Sequence, residues 1–511
     1  MLYNANVITM DPACPKAELI AVNHGRIAAV TTNKAMHELR KKKTEVIDCM
    51  GKTVVPGFID AHCHLAAFAE SLVCIDLSPQ EGTRSLADMR GKIRTFCADR
   101  PRDTWVRGKG YNEFYLKEKR HPNRHDLDKA ASLHPVKLTH RSGHAHVLNS
   151  LGLKLVGITA ESGDPPDGLI DRDLETGEPT GILFGMGNYL AKRIPPLDDD
   201  EMKQGVRLAN AELLSLGITS IQDDTSHNDI RCWNMFRQWK SEGIFRPGVT
   251  MMPGMNGFDE YKKQLYQASG DEPGLRISGV KIIVHEITGD LEPSQKRLNE
   301  MVFEIHRTGF QAALHAVEER TIEAACDAIE YALKQLPRQD HRHRIEHCSV
   351  CPPALAKRIS DLGIMVVTQP AFIYYGGDRY LETVPPEQLK DLYSIGRLIR
   401  NNIRVGASSD FPIVKPNPFI GIYAAVTRMS EKGKPVLPEE GIEPFEALRM
   451  YTQMAAAASF EEHLKGSIAI GKNADLAVLS SDPTTIDADA IKSIKVEMTI
   501  INGEIAYKSK A

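Results

Sequence analysis

The sequence predicts an α/β fold: a (β/α)8 TIM barrel, a small β-sandwich domain built from both chain termini, and a long insertion after the first barrel strand. Three observations predict it. Strand-like and helix-like segments alternate eight times over about 350 residues, the count that a (β/α)8 barrel requires. Both ends of the chain share one texture of short strands with turn punctuation. One interval between strands, residues 70–200, is far too long for a single crossover.

Taken in order, Asn6 to Met10, Leu19 to Val22, Arg26 to Val30 and Thr53 to Val55 read as strands, with Asn23-His24-Gly25 as a hairpin turn between two of them. Pro56-Gly57 breaks this sheet and starts another. Barrel strands follow at Gly57–Asp60, Ile218–Gln222, Arg246–Met252, Ser278–Val284, Phe310–Leu314, His343–Glu346, Ile364–Thr368 and Asn402–Ala407. Most intervals are helical in pattern, as in Glu318–Leu336, where apolar residues recur at spacings of three and four. The 70–200 interval holds strands of its own, Thr104–Arg107 and Val136–Thr139. Loops after barrel strands surround the active site, so this insertion is expected to cap it. At the far end, Ala474–Leu479 and Val496–Ile501 are strand-like, and Asn502-Gly503 turns the chain into Glu504 to Tyr507. The expected division is 1–55 with 465–511 as the composite sandwich and 56–464 as the barrel.

Composition excludes several classes. Net charge is −4 with both signs well mixed, which leaves no basic footprint for nucleic acid. No apolar run approaches the roughly 20 residues of a membrane helix, and the first residues lack the pattern of a signal peptide. Nine scattered cysteines suit a reducing cytoplasm, and Cys348-Ser-Val-Cys351, followed by two prolines, reads as inert thiols. The expected partner is a small-molecule substrate, with neither nucleic acid nor membrane, in a chain compatible with a homodimer.

The chemistry begins at Thr53-Val-Val-Pro-Gly-Phe-Ile-Asp-Ala-His62-Cys-His64. Strand side chains alternate between faces, so His62 and His64 project to one side, about 6.6 Å apart along the backbone. Imidazoles at that spacing reach one metal ion, given a Zn–N bond of about 2.0–2.1 Å. Further ligand-type residues stand at or near the ends of later strands: Lys281 in the fourth, His315 in the fifth, His347 in the sixth and Asp410 after the eighth. Each alone has a plainer reading as a hydrogen-bonded histidine or a helix cap. Their joint occurrence, in order, on the barrel face that carries chemistry argues for a site. Lys281 lies among Val280, Ile282, Ile283 and Val284, where a buried ammonium costs several kcal/mol unless paired or neutralised. Capture of CO2 as a carbamate would neutralise it and create an anionic metal ligand.

This ordered set resembles the amidohydrolase superfamily, and within it the amidohydrolase family 3, YtcJ-like metal-dependent hydrolases. The resemblance extends to Trp105-Val-Arg-Gly-Lys-Gly-Tyr111, Gly143-His144-Ala-His-Val-Leu-Asn149, Thr368-Gln369-Pro370 and the stretch Lys465 to Asp475. It implies two divalent metals, expected to be zinc: His62, His64 and Asp410 on one, His315 and His347 on the other, and a carboxylated Lys281 between them. It further implies hydrolysis of a non-peptide, amide-like C–N bond by a metal-bound hydroxide, with Asp410 as proton shuttle and His144 as a substrate contact. Where relatives usually show Asp-Gly after the lysine, this chain reads Val284-His285-Glu286. That makes His285 a candidate substrate contact, and His285 or Glu286 a candidate substitute ligand. Alternatives on the same fold are a one-metal deaminase with His347 freed as a proton donor, an ester-type hydrolase and, ranked last, a non-enzymatic scaffold.

Overall fold

The computed structural model describes residues 1–79, 81–165, 168–267, 274–287 and 289–510. The chain is a mixed α/β fold that divides into two compact units, Met1–Leu65 with Asn210–Ala511, and Ala66–Ala209.

In the first unit, strands from both ends of the chain share one six-stranded sheet. Its order is Glu504–Lys508, Val496–Ile501, Leu476–Leu479, Thr53–Pro56, Asn6–Ile8 and Lys16–Ala17. A four-stranded sheet contains the hairpin Leu19–Asn23 and Arg26–Thr31, with Leu2–Tyr3 and Ile47–Asp48. The two sheets contribute to one apolar core, in which Val7, Ile20, Ile27, Val54, Leu476 and Ile500 are buried together. Both hairpin turns have positive φ at their two central residues, His24 and Gly25 in one, Asn502 and Gly503 in the other. Such turns match the twist of the flanking strands, which is why Asn-Gly and His-Gly pairs stand there.

The described residues of the same unit include the parallel strands β1 (Phe58–Cys63), β2 (Ile218–Asp223), β3 (Gly248–Met251), β4 (Gly279–Ile283), β5 (Gln311–Ala316), β6 (Arg344–His347), β7 (Met365–Thr368) and β8 (Val405–Ala407). They pair in chain order in two runs, β1 to β3 followed by the short parallel strand Leu275–Ile277, and β4 to β8. Backbone hydrogen bonds join the runs at both junctions. Lys281 N donates to Pro253 O at 2.9 Å on one side. On the other, Asp410 N donates to His62 O at 3.0 Å and His64 N to Phe411 O at 2.9 Å. The last two bonds bring the histidine-bearing end of β1 against the loop that follows β8. Helices intervene, among them Ile230–Ser241, Gln295–Arg307, Glu319–Gln335 and Pro353–Asp361. Glu319–Gln335 buries Ile322, Ala325, Ala328, Ile329 and Ala332 along one stripe, the three-and-four spacing read from the sequence.

The second unit carries a six-stranded sheet in the order Leu169–Arg172, Pro179–Phe184, Ala145–Leu148, Val136–His140, Val106–Tyr111 and Ile75–Asp76. A Cβ at Gly108 in Val106–Tyr111 would lie 2.7 Å from Leu77 Cδ1 and 2.8 Å from Leu138 Cδ2, so those side chains would have to shift to admit one. Among the described residues, no helix is long and apolar enough to cross a membrane.

Candidate active site

The parallel strands deliver their polar residues to one end, beyond their carboxyl termini. His62 lies next to last in β1, and His64 follows that strand directly. Its backbone bond to Phe411 aligns both rings with the loop bearing Asp410. Asp410 Oδ1 stands 3.1 Å from His64 Nε2 and 3.6 Å from His62 Nε2. Asp410 and His347 both adopt positive φ, 59° and 71°. For residues other than glycine this costs of order 1–3 kcal/mol and persists where surrounding structure enforces it, commonly at functional sites.

Each of the three histidines with a resolved Nδ1 partner points its other nitrogen away from it. His64 Nδ1 is held by Thr225 Oγ1 at 2.8 Å, and His347 Nδ1 by Gln369 Oε1 at 2.8 Å. Gln369 in turn donates to Ser408 Oγ at 3.0 Å. His62 Nδ1 meets two carboxylates, Glu346 Oε2 at 2.6 Å and Asp224 Oδ2 at 2.9 Å. Holding Nδ1 in this way leaves Nε2 to act as a metal donor, the usual carboxylate–histidine–metal arrangement. The buried Asp410 Oδ1 has no hydrogen-bond partner although two imidazole nitrogens face it. A cation among these three atoms resolves that arrangement, so the donor set fits a divalent metal.

His62, Asp224 and Glu346 form a second group of close donor atoms, all buried. Charge decides between the two groups. Asp224 already pairs with Lys281, and Glu346 with Arg344. The second group is thus balanced by two cationic side chains, whereas the groups that face Asp410 Oδ1 are the imidazoles of His62 and His64.

Of the remaining residues expected at the site, His315 and His347 come together with ring centroids 4.4 Å apart, and His347 lies 4.8 Å from the His62 ring. Lys281 is 3% exposed, as its apolar neighbours imply, and its partner is the fully buried Asp224, which the sequence reading did not single out. His285 and Glu286 require a correction. β4 ends at Ile283, and His285–Ile287 pairs with Asp290–Glu292 as a separate hairpin. Both residues are exposed, and Glu286 pairs with Arg320 at 2.9 Å. The alternation that put His285 on the face of Lys281 fails because the strand does not continue. His144 is exposed in the turn before Ala145–Leu148, within the second unit.

Asp224, Glu346, Arg344 and Gln369 were missed as site residues. The signal existed for two of them, because Arg344-Ile-Glu346-His347 sets an acid and a base two residues apart on one face of a strand. The argument applied to Lys281 applies equally there. Asp60 also contributes, accepting from Ser409 Oγ at 2.6 Å and from Ser409 N at 3.1 Å, which ties β1 to the residue before Asp410.

Burial sets the charge states. It pushes His315 down to about 2 and His347 well below its ordinary value, with neighbouring positive groups adding to the effect. Both rings are therefore neutral donors. His62 is also opposed by burial and by Lys281, yet Asp224 and Glu346 outweigh them and raise it to about 9. Burial raises Asp60 to about 6. These shifts predict a stability optimum for the metal-free protein near pH 6.5. The depressed histidines stabilise fully above their unfolded value and lose that contribution as pH falls, at about 1.4 kcal/mol per pH unit each, with Asp60 offsetting one of them below about 6. His62 has the opposite sign: its contribution is full below the unfolded value and is lost as pH rises through about 9. Melting temperatures of chelated protein from pH 5 to 9 should fall on both sides of the optimum. The absence of any fall in stability between pH 6.5 and 8 would refute the raised value of His62.

Parallel strands that bring imidazole and carboxylate donors together beyond their carboxyl ends define a hydrolase of the metal-dependent kind. The sequence profile of the amidohydrolase family matches residues 45–507, and the chain belongs to that family. It is 30% identical to an N-substituted formamide deformylase of Arthrobacter pascens, over 99% of this chain and 98% of the relative. It is 26% identical to the putative amidohydrolase YtcJ of Bacillus subtilis, over 98% of each. A crystal structure of an uncharacterized metal-dependent hydrolase from Pyrococcus furiosus superposes with a TM-score of 0.75 at 25% identity, covering 95% of this chain and 99% of that one.

Proposed function

We propose that this protein hydrolyses a non-peptide, amide-like C–N bond with the help of divalent metal, on a (β/α)8 barrel whose partner β-sandwich comes from both termini. The observation that carries this reading is the convergence of His62 Nε2, His64 Nε2 and the unpartnered Asp410 Oδ1. Similarity to a protein named for deformylating N-substituted formamides makes those compounds the first substrates to test. A metal bound at the three atoms supplies Lewis acidity toward a carbonyl oxygen and toward water. Asp410 accepts the proton of the attacking water at its carboxylate and returns it to the leaving nitrogen. His64 is held for its part by Thr225, and the neutral His315 and His347 are donors for a second ion.

In a two-ion form Lys281 would serve as a carboxylated ligand, for which it would first have to leave Asp224. A one-ion form is the second reading, and the Lys281–Asp224 pair is the observation that favours it. In that form His347 is released from metal duty to serve as a proton donor. Elemental analysis after incubation with zinc and bicarbonate is expected to show two ions per chain, with turnover of N-substituted formamides. One ion at full activity selects the one-ion form, and none overturns the metal reading.

A further inference from the structure

Three of the site histidines are oriented through Nδ1, but only His62 is oriented by carboxylates. Glu346 accepts from it at 2.6 Å and is itself gripped through its other oxygen, Oε1, by Arg344 Nε. Arg344 is fully buried and spends its remaining donors on Gln222 Oε1 at 2.5 Å, Ala61 O at 3.0 Å and Ala458 O at 3.5 Å. Ala61 is the residue immediately before His62. The guanidinium thus ties the backbone of β1 to the acid on β6, and the acid grips the ring that follows. Asp224 Oδ2 also approaches His62 Nδ1, at 2.9 Å, but that oxygen is shared with Lys281, whereas Glu346 gives Oε2 to the ring and Oε1 to Arg344.

We infer that Glu346, fixed by Arg344, is a positioning residue that sets the tautomer and orientation of His62, so that Nε2 is presented toward His64 and Asp410. This rests on the metal reading above. Two physical points support it. An Nδ1–H donated to a carboxylate makes the opposite nitrogen a better donor, and losing such an outer partner commonly weakens metal binding 10–100-fold. A neutral amide cannot replace the acid, because its single oxygen serves either Arg344 Nε or His62 Nδ1 and its NH2 then faces the other donor.

The test compares the full-length wild type with Glu346→Gln and with the double variant Arg344→Met/Glu346→Leu, in which residue 346 offers His62 Nδ1 no acceptor. The double variant removes both buried charges together, so it keeps the fold where the single change leaves Arg344 unpaired. Folding is checked by circular dichroism, zinc affinity is read by chelator competition, and cobalt-substituted protein is read by its visible spectrum. The expected result is zinc affinity 10–100-fold weaker in the folded variant, with stoichiometry retained at saturating zinc and a shifted cobalt spectrum. Affinity within twofold of wild type and an unchanged spectrum overturn the role of Glu346 while leaving the metal reading intact. A wild-type chain that takes up neither zinc nor cobalt overturns both.

Discussion

Asp410→Asn is expected to lower kcat by about 10²–10⁴-fold while leaving the fold and much of the metal site in place. Asparagine tolerates the positive φ of 59° that this position demands, so the backbone bond from residue 410 to His62 O survives. Its amide still offers one oxygen toward the two Nε2 atoms. What it cannot do is take up a proton. Asp60 is brought beside residue 409 by the fold but is committed to Ser409, and His347, buried and with its pKa well below the ordinary value, is a poor proton acceptor. No neighbour therefore stands ready to replace the carboxylate. The measurement is kcat on an N-substituted formamide that the wild type turns over, with metal content determined in parallel. Turnover near the wild-type value at full occupancy would show that Asp410 is only a ligand.

Lys281→Ala is expected to remove activity and to destabilise the protein by about 3–5 kcal/mol, because it strands the fully buried Asp224 without its cation. The ordinary reading of such a loss, a missing bridge between metals, is thereby mixed with a folding effect, and two further measurements separate them. Lys281→Met combined with Asp224→Asn removes both charges and should recover most of the stability in urea unfolding. If Lys281 acts as a carbamate, that double variant stays inactive and short carboxylic acids partly restore activity to Lys281→Ala. Full activity of the double variant with one ion bound would establish the one-ion form and retire the carbamate.

Much of the frame was legible from residue order. Alternation of apolar strands and amphipathic helices placed β1 to β8 within a few residues of their observed bounds, since burial on both faces imposes apolar runs such as Met365 to Val367, but it left out the short parallel strand Leu275–Ile277. Errors fell where periodicity stops. Extending β4 through Val284 carried His285 onto the wrong side, and the break came from a local hairpin whose pairing with Asp290–Glu292 no two-residue period announces.

The candidate donors themselves were a matter of sequence, because a histidine or aspartate at the carboxyl end of a parallel strand has little choice of direction once the strand is placed. Their partners were not. Lys281 could be seen to need a counter-charge, but that Asp224 supplies it depends on how β2 and β4 meet across the strand interior. The grip of Glu346 and Arg344 on His62 joins residues 284 positions apart. Side-chain direction is a local property of the backbone and is written in the nearby sequence. Which charge neutralises which is decided by distance in a low-dielectric interior, where every buried charge must find a partner that only the assembled strands bring within reach.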